Sequence, residues 1–132
     1  MRKVFVCRVL IVDDSPALRR ALRFHLEQHP DLDVCGEAEN GQAAIEKFRQ
    51  LKPDFVILDL FMPVMDGLEA ARHISTLAPR VPMLMFTSFS SDQVVEEAHK
   101  AGIARVVGKN KVGELTAIIE SLMEDSMSPP RN

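Results

Sequence analysis

Five polar residues of this chain stand where short apolar runs end, and their types could support chemistry together. They are Asp13 and Asp14 after the first run, and Asp59, Thr87 and Lys109 after three later ones. Singly, each has an ordinary structural interpretation as a helix entry, a turn residue, a strand end or a solvated lysine. If the runs are parallel strands, their carboxyl ends meet at one edge of a sheet, where open α/β sheets bind ligands. The spacing therefore favours one shared site.

The three carboxylates predict a bound cation. Carboxylates about 4 Å apart repel each other by on the order of 4 kcal/mol at an effective dielectric constant of ~20. A set of hard oxygen donors without Cys or His selects Mg²⁺, which commonly binds through one or two carboxylates plus phosphate oxygens. We therefore expect Mg²⁺ at this site, with Lys109 as a second, mobile positive charge.

A carboxylate beside Mg²⁺ and a lysine can act as a nucleophile toward phosphorus and form an acyl phosphate. Such a transfer depends mainly on alignment and on neutralising the equatorial oxygens of the phosphoryl group. The hydroxyl of Thr87 can donate a hydrogen bond to a phosphoryl oxygen once that group has arrived. The pattern thus predicts Asp59 as the group that is phosphorylated, Lys109 as its charge partner and Thr87 as a sensor.

Apolar runs alternate along the chain with segments of helical periodicity, which is typical of a parallel sheet covered by helices on both faces. The predicted strands are Val9–Val12, Val34–Ala38, Phe55–Leu58, Met83–Phe86 and Val106–Val107. Right-handed crossovers would assemble them with five helices into a doubly wound sheet. Val34–Ala38 is more polar than the other runs and fits an edge strand.

The predicted helices have recognisable starts. The starts are Ser15 with Pro16, Asn40–Gly41, Asp66–Gly67, and Ser90 with Gln93 as a capping box. The fifth helix is indicated by apolar residues between Leu115 and Leu122. In the first helix, Arg19, Arg20 and Arg23 face away from the apolar stripe and are interpreted as a solvated face.

Composition excludes several classes of function. A chain of 132 residues is the size of one domain, and its net charge of -3 argues against direct binding of nucleic acid. No apolar run approaches the ~20 residues of a membrane span, and the N-terminus lacks a signal peptide, so we expect a cytoplasmic protein. Cys7 and Cys35 lack the spacing of a zinc or redox site and are interpreted as reduced core thiols. The four histidines are assigned to the surface.

These residues resemble the receiver domains of two-component response regulators. The acidic pair Asp13–Asp14, the segment Asp59–Gly67, the Thr87–Ser88 step and Lys109 follow the order and spacing of that family, and the likeness runs from about Arg8 to Met123. It implies a flavodoxin-like α/β fold with a five-stranded parallel sheet in the order 2-1-3-4-5 and five helices. Residues 8–123 would form the receiver domain, and residues 124–132 a flexible tail or the start of a linker.

The resemblance also implies individual roles. Asp59 would be the phosphoacceptor, Thr87 the switch hydroxyl and Lys109 the lysine that pairs with the phosphoryl group. The implied Mg²⁺ ligands are Asp14 directly, Asp13 through water, Asp59, and the backbone carbonyl of Phe61. The implied donor is a phosphohistidine on a sensor histidine kinase or phosphotransfer protein. The receiver would catalyse the transfer itself, and slow hydrolysis would reset it.

The output of the predicted switch is left open. Segments such as Asn40–Ala44 and Gly67–Ala71 are most similar to receivers attached to helix-turn-helix DNA-binding domains. No such domain lies within these residues, so we expect either part of a longer regulator or a single-domain regulator that acts on an effector protein. A homodimer is a further open alternative.

Four residues depart from the common receiver pattern. Val106 stands where many receivers carry Tyr or Phe, which predicts a weaker or rerouted response on the face of the fourth helix, fifth strand and fifth helix. Asn110 stands where many have a cis-proline, so we expect a trans peptide and a more mobile loop. Phe61 and Phe89 border the expected path of the attacking water. They predict a long-lived phosphoryl group, unless the rings simply face solvent or a partner.

Three alternatives compete with an active receiver. A haloacid-dehalogenase-type phosphatase would need a second acid at the position of Phe61 and usually a cap domain. A flavodoxin-like flavin binder is disfavoured by the absence of Trp, Tyr and a Ser/Thr-rich phosphate loop. The third is a degenerate receiver that acts as a phosphorylation-independent interaction module, and it is disfavoured because every site residue is present.

Overall fold

The computed structural model describes residues 6–127, in which strands and helices alternate. The elements are β1 (Cys7–Val12), α1 (Pro16–Glu27), β2 (Leu32–Ala38), α2 (Gly41–Leu51), β3 (Phe55–Leu58), α3 (Gly67–Leu77), β4 (Met83–Thr87), α4 (Asp92–Lys100), β5 (Arg105–Gly108) and α5 (Leu115–Met127). A 3₁₀ segment, Lys109–Glu114, which the sequence analysis did not predict, joins β5 to α5. All five predicted strands are present.

The strands form one parallel sheet in the order β2-β1-β3-β4-β5. The predicted flavodoxin-like fold and strand order are confirmed, and β2 is an edge strand as expected. Apolar side chains from α2, α3 and α4 pack on one face of the sheet, and those from α1 and α5 pack on the other. The three inner strands are therefore buried on both sides, which explains their continuous apolar sequences.

Side-chain caps fix where the helices begin. Ser15 accepts a hydrogen bond from the Leu18 amide with Pro16 at the first helical position, and Asn40 and Asp66 cap α2 and α3 in the same way. The prediction for α4 was wrong by one residue, because Ser91 and not Ser90 accepts from the Val94 amide. Either serine could serve as a cap by type, and the backbone entering α4 selects the second.

Helix α5 includes residues 124–127, which were predicted to belong to the C-terminal tail, and Met127 is the last described residue. The domain boundary at Met123 stays a prediction. The rest of the predicted tail, residues 128–132, lies outside the described residues. Among residues 6–127, no helix combines the length and apolar character that a membrane crossing requires.

The isolated cysteines and histidines are less uniform than predicted. Cys7 is buried, and this desolvation raises the pKa of its thiol to about 12, whereas Cys35 is only half-buried and is not a full core residue. Both thiols are free. His73 and His99 are exposed as predicted, but His29 is half-buried and its Nε2 lies 2.5 Å from Oε1 of Glu120 on α5.

Candidate functional site

The central strands bring Asp13 and Asp59 side by side. Val12 pairs with Leu58 in the parallel ladder, and the Asp59 amide donates to the carbonyl of Val12 at 3.0 Å. Each aspartate is the first residue beyond its strand, so both leave the sheet at the same edge. Both are buried, with exposed fractions of 2% for Asp13 and 7% for Asp59.

Lys109 bridges these two carboxylates from the end of β5. Its Nζ lies 2.8 Å from Oδ2 of Asp59 and 3.1 Å from Oδ2 of Asp13. Burial by itself would lower the pKa of Lys109, but its hydrogen bonds with Asp59 and Asp13 outweigh burial, so the pKa is raised. Lys109 therefore stays protonated and positive at neutral pH.

Burial raises the pKa of Asp13, although the Ser15 amide and Lys109 oppose this by hydrogen bonding to its carboxylate. The Ser15 amide donates to Oδ1 of Asp13 at 2.9 Å, while Oδ2 faces Lys109. The negative charge of Asp13 is thus held in a poorly solvated place. A further cation would stabilise it.

Asp14 completes a cluster of carboxylates. It is exposed, and one oxygen from each of Asp13, Asp14 and Asp59 lies within 4.8 Å of the others. Lys109 cannot neutralise three carboxylates, and the donor set consists of hard oxygens only. This set fits Mg²⁺ better than a metal that prefers nitrogen or sulfur ligands.

Gly67 packs directly against the backbone of Asp59. The Gly67 amide donates to the carbonyl of Leu60 at 2.8 Å, and a Cβ on Gly67 would lie 2.0 Å from the backbone oxygen of Asp59. From sequence, Gly67 is predicted only as part of a turn and a motif. Its fixed separation in sequence from Asp59 within that motif is the signal that could have indicated this contact.

Thr87 is fully buried at the end of β4, next to β5. Its Oγ1 accepts a hydrogen bond from the Phe89 amide at 3.2 Å, and within residues 6–127 no hydrogen bond joins it to Asp59 or Lys109. The structure therefore brings Asp13, Asp14, Asp59 and Lys109 into one cluster, with Thr87 on the neighbouring strand. The sensing role of Thr87 stays a prediction.

Two phenylalanine rings lie on the loops that follow Asp59 and Thr87. Phe61 and Phe89 contact each other edge to face, with ring centroids 4.8 Å apart and an interplanar angle of 79°. Their exposed fractions are 57% and 55%. The rings are thus positioned by each other while more than half of their surface meets solvent.

The interpretation of the α1 arginines as a solvated face was wrong for two of them. Arg19 and Arg23 both bind the carboxylate of Glu37 on β2, with Nε to oxygen distances of 3.0 and 2.9 Å. Arg19 also donates from Nη1 to the backbone carbonyl of Asp13. A helical wheel places these side chains outside the apolar stripe, but their length lets them fold back onto the edge strand.

The other two departures from the receiver pattern can also be located. The Lys109–Asn110 peptide is trans, as expected, as are the other described peptides. Val106 is half-buried and lines a groove of about 460 Å³ between α4, β5 and α5, with Val95 and Ile118 among the other lining residues. The weaker response expected at this face stays a prediction.

Comparison with curated proteins gives relatives with longer chains. The sequence is 42% identical over 104 residues to a protein-glutamate methylesterase/protein-glutamine glutaminase of Alkalilimnicola ehrlichii, which covers 77% of this chain and 26% of that protein. It is 41% identical over 96 residues to the response regulator protein VraR of Staphylococcus aureus, which covers 73% of this chain and 46% of VraR. The chain thus spans between about a quarter and a half of these relatives.

Solved structures and a family model agree with this result. A LuxR-family two-component response regulator from Aurantimonas superposes with a TM-score of 0.87 at 31% identity, over 91% of this chain and 86% of that one. The model of the response regulator receiver domain matches residues 9–120. With the parallel sheet and the carboxylate cluster described above, this match shows that the chain belongs to the response regulator receiver domain family.

Proposed function

We propose that this receiver domain binds Mg²⁺ at its carboxylate cluster and accepts a phosphoryl group on Asp59. The single observation that carries the proposal is the contact between Lys109 and Asp59, with Asp13 and Asp14 beside it. Asp13 is also buried and also pairs with Lys109, but the Lys109 contact with Asp59 is the shorter of the two, at 2.8 Å against 3.1 Å. Asp59 also stands at the position of the phosphoacceptor in the receiver domains that the chain resembles. Family membership leaves the phosphatase and flavin-binding alternatives without support.

In the proposed reaction, a carboxylate oxygen of Asp59 attacks the phosphorus of a phosphohistidine. The phosphorus–nitrogen bond breaks, and the imidazole leaves with the electron pair of that bond. Asp14, Asp59 and the backbone carbonyl of Phe61 would hold Mg²⁺ directly and Asp13 would hold it through water, and the ion would neutralise phosphoryl oxygens. The Leu60 amide donates to Oδ1 of Asp59 at 2.7 Å and fixes the carboxylate, while Lys109 is placed to move from the carboxylates to a phosphoryl oxygen.

The arrival of the group would change two contacts. Lys109 would exchange its contact with Asp13 for the phosphoryl group, and the Thr87 hydroxyl, which now accepts from the Phe89 amide, would donate its own proton to a phosphoryl oxygen. Thr87 lies at the end of β4, where this strand pairs with β5. A movement of Thr87 would therefore change the structure of the α4–β5–α5 face. We propose that this face is the switched surface.

The proposal includes its partners. The donor would be a sensor histidine kinase or phosphotransfer protein in the cytoplasm, and the phosphorylated state would act on an output domain or effector protein outside residues 6–127. Relatives named as a methylesterase/glutaminase and as LuxR-family regulators support an output of the attached-domain kind.

Phosphorylation can be tested with acetyl phosphate, which replaces the protein donor. Incubated with Mg²⁺, the protein should gain the mass of one phosphoryl group, and hydroxylamine should remove it because acyl phosphates are labile to that nucleophile. The Asp59→Asn variant and a sample in EDTA should gain nothing. A wild-type protein that binds Mg²⁺ but gains no mass would instead support the degenerate receiver.

A further inference from the structure

Arg19 connects the loop that carries Asp13 and Asp14 to the edge of the sheet. Its Nη1 donates to the backbone carbonyl of Asp13 at 2.5 Å, and its Nε donates to Oε1 of Glu37 on β2 at 3.0 Å. Only 16% of its side chain is exposed. We infer that Arg19 is a positioning residue for the carboxylate cluster, and that it sets the affinity for Mg²⁺ by holding the peptide between Asp13 and Asp14. This inference rests on the proposed function.

The peptide that Arg19 holds affects the position of Asp14 more than that of Asp13. Asp13 has other anchors, because its amide donates to the Ala38 carbonyl and its carboxylate meets the Ser15 amide and Lys109. The Asp14 side chain is exposed, and none of the hydrogen bonds or ion pairs of residues 6–127 involves its carboxylate. Its direction is therefore set by the backbone, whose preceding carbonyl is the group that Arg19 binds.

Mg²⁺ is sensitive to such positioning because it demands nearly ideal octahedral geometry. Groups that orient metal ligands from outside the coordination sphere contribute strongly to metal affinity, and their loss typically costs about 10–100-fold. Holding a backbone carbonyl is an indirect form of this role. The effect of removing Arg19 should therefore lie near the lower end of that range.

Charge alone predicts the opposite sign. Arg19 places a positive charge near a cation site, so removing that charge should strengthen Mg²⁺ binding if the guanidinium acted only through its field. If it acts by positioning, its removal weakens binding. The direction of the change in Kd thus separates the two roles.

Arg23 offers a matched control on the same helix. One turn further along α1, its Nε donates to Oε2 of Glu37 at 2.9 Å and its Nη1 to the Val34 carbonyl at 3.1 Å. It therefore has the same charge, the same carboxylate partner and a backbone carbonyl partner on the sheet. Its carbonyl partner belongs to β2 and not to the loop of Asp13 and Asp14, which is the difference that the comparison uses. Arg23 is also more exposed than Arg19 and forms a second ion pair with Glu27 on its own helix.

The test is Mg²⁺ titration by isothermal calorimetry, since the chain has no Trp or Tyr to serve as a fluorescent probe. Arg19→Gln should raise the Kd for Mg²⁺ about tenfold, whereas Arg23→Gln should leave it unchanged or slightly lower it. Thermal unfolding in EDTA controls for stability. At saturating Mg²⁺ the rate of phosphorylation by acetyl phosphate should return close to the wild-type value in Arg19→Gln, because its defect is in metal binding.

Each outcome decides the inference. If the wild-type protein binds Mg²⁺ and is phosphorylated, but Arg19→Gln binds Mg²⁺ as tightly as Arg23→Gln, positioning by Arg19 is wrong and the proposed function stands. If the wild-type protein does not bind Mg²⁺, both fail. Should Arg19→Gln not fold, Arg19→Met decides, since it keeps an apolar side chain of similar length and has no donor for the Asp13 carbonyl. A raised Kd then supports the inference and an unchanged one overturns it.

Discussion

Lys109 forms the only ion pairs that the structure gives to Asp13 and Asp59 within residues 6–127. One ammonium shared between two buried carboxylates, with a third nearby, leaves uncompensated negative charge where water screens poorly. The pKa of Asp13 is raised chiefly because burial disfavours its charged form, and the neighbouring charge of Asp59 adds to this. The cluster therefore lowers the stability of the metal-free protein, and a bound cation would stabilise it.

The ring of Phe61 provides a prediction on the lifetime of the phosphoryl group. If the paired rings of Phe61 and Phe89 keep the attacking water away from Asp59, replacing Phe61 by Asn should speed hydrolysis severalfold, since a polar side chain admits and orients water. The measurement is the decay of the phosphorylated mass after excess acetyl phosphate is removed. The backbone carbonyl proposed as a metal ligand is retained in this variant.

Phe61→Leu is the matched control because it keeps apolar bulk while losing the ring contact. It should hydrolyse at a rate close to that of the wild-type protein. Equal rates in wild type, Phe61→Asn and Phe61→Leu would show that the rings do not restrict water. They would then serve only as exposed apolar surface, available to a partner.

Helix α3 is positioned by the absence of a side chain at its first residue. A Cβ at Gly67 would lie 2.0 Å from the Asp59 oxygen, and backbone cannot yield as a flexible side chain can. Gly67→Ala should therefore lower the free energy of unfolding by about 2–3 kcal/mol, as overpacking of a tight contact does. Urea denaturation followed by circular dichroism measures the loss, and phosphorylation of Asp59 should fall in parallel.

Gly113 supplies the control for this substitution. A Cβ there has no neighbour within 4 Å, and its φ is not in the left-handed region. Gly113→Ala should be neutral or stabilise the protein by up to about 1 kcal/mol, because alanine narrows the unfolded ensemble. If both alanine variants unfolded at the same urea concentration, the contact between Gly67 and Asp59 would have no structural importance.

At the scale of the whole molecule, the parallel sheet explains why so much of the site was predictable. Every strand of such a sheet ends at the same edge, so residues directly after apolar runs converge without any knowledge of loop structure. Asp13, Asp59 and Lys109 were identified in this way, and the structure joins all three. Strand order followed from the resemblance to receivers and agrees with the observed sheet.

The features that the sequence did not predict have a common physical cause. They depend on distances between parts of the fold, which the periodicity of a sequence does not contain. Arg19 and Arg23 were assigned to solvent because a helical wheel gives the direction in which a side chain leaves the helix but not how far it extends. Their partner Glu37 lies on another element. Ser90 and Ser91 are equally suited to cap α4 by type, and only the path of the loop selects Ser91. The 3₁₀ segment that begins at Lys109 likewise has no apolar pattern that would mark it.

The measurement that tests the account most directly is the chemical identification of the phosphorylated residue. After incubation with acetyl phosphate and Mg²⁺, borohydride reduces an acyl phosphate of aspartate to homoserine, and peptide mass spectrometry locates the change. The account predicts homoserine at position 59 and unchanged aspartate at positions 13 and 14, although Asp13 is equally buried and also contacts Lys109. Homoserine at position 13, or at none of the three, would contradict it.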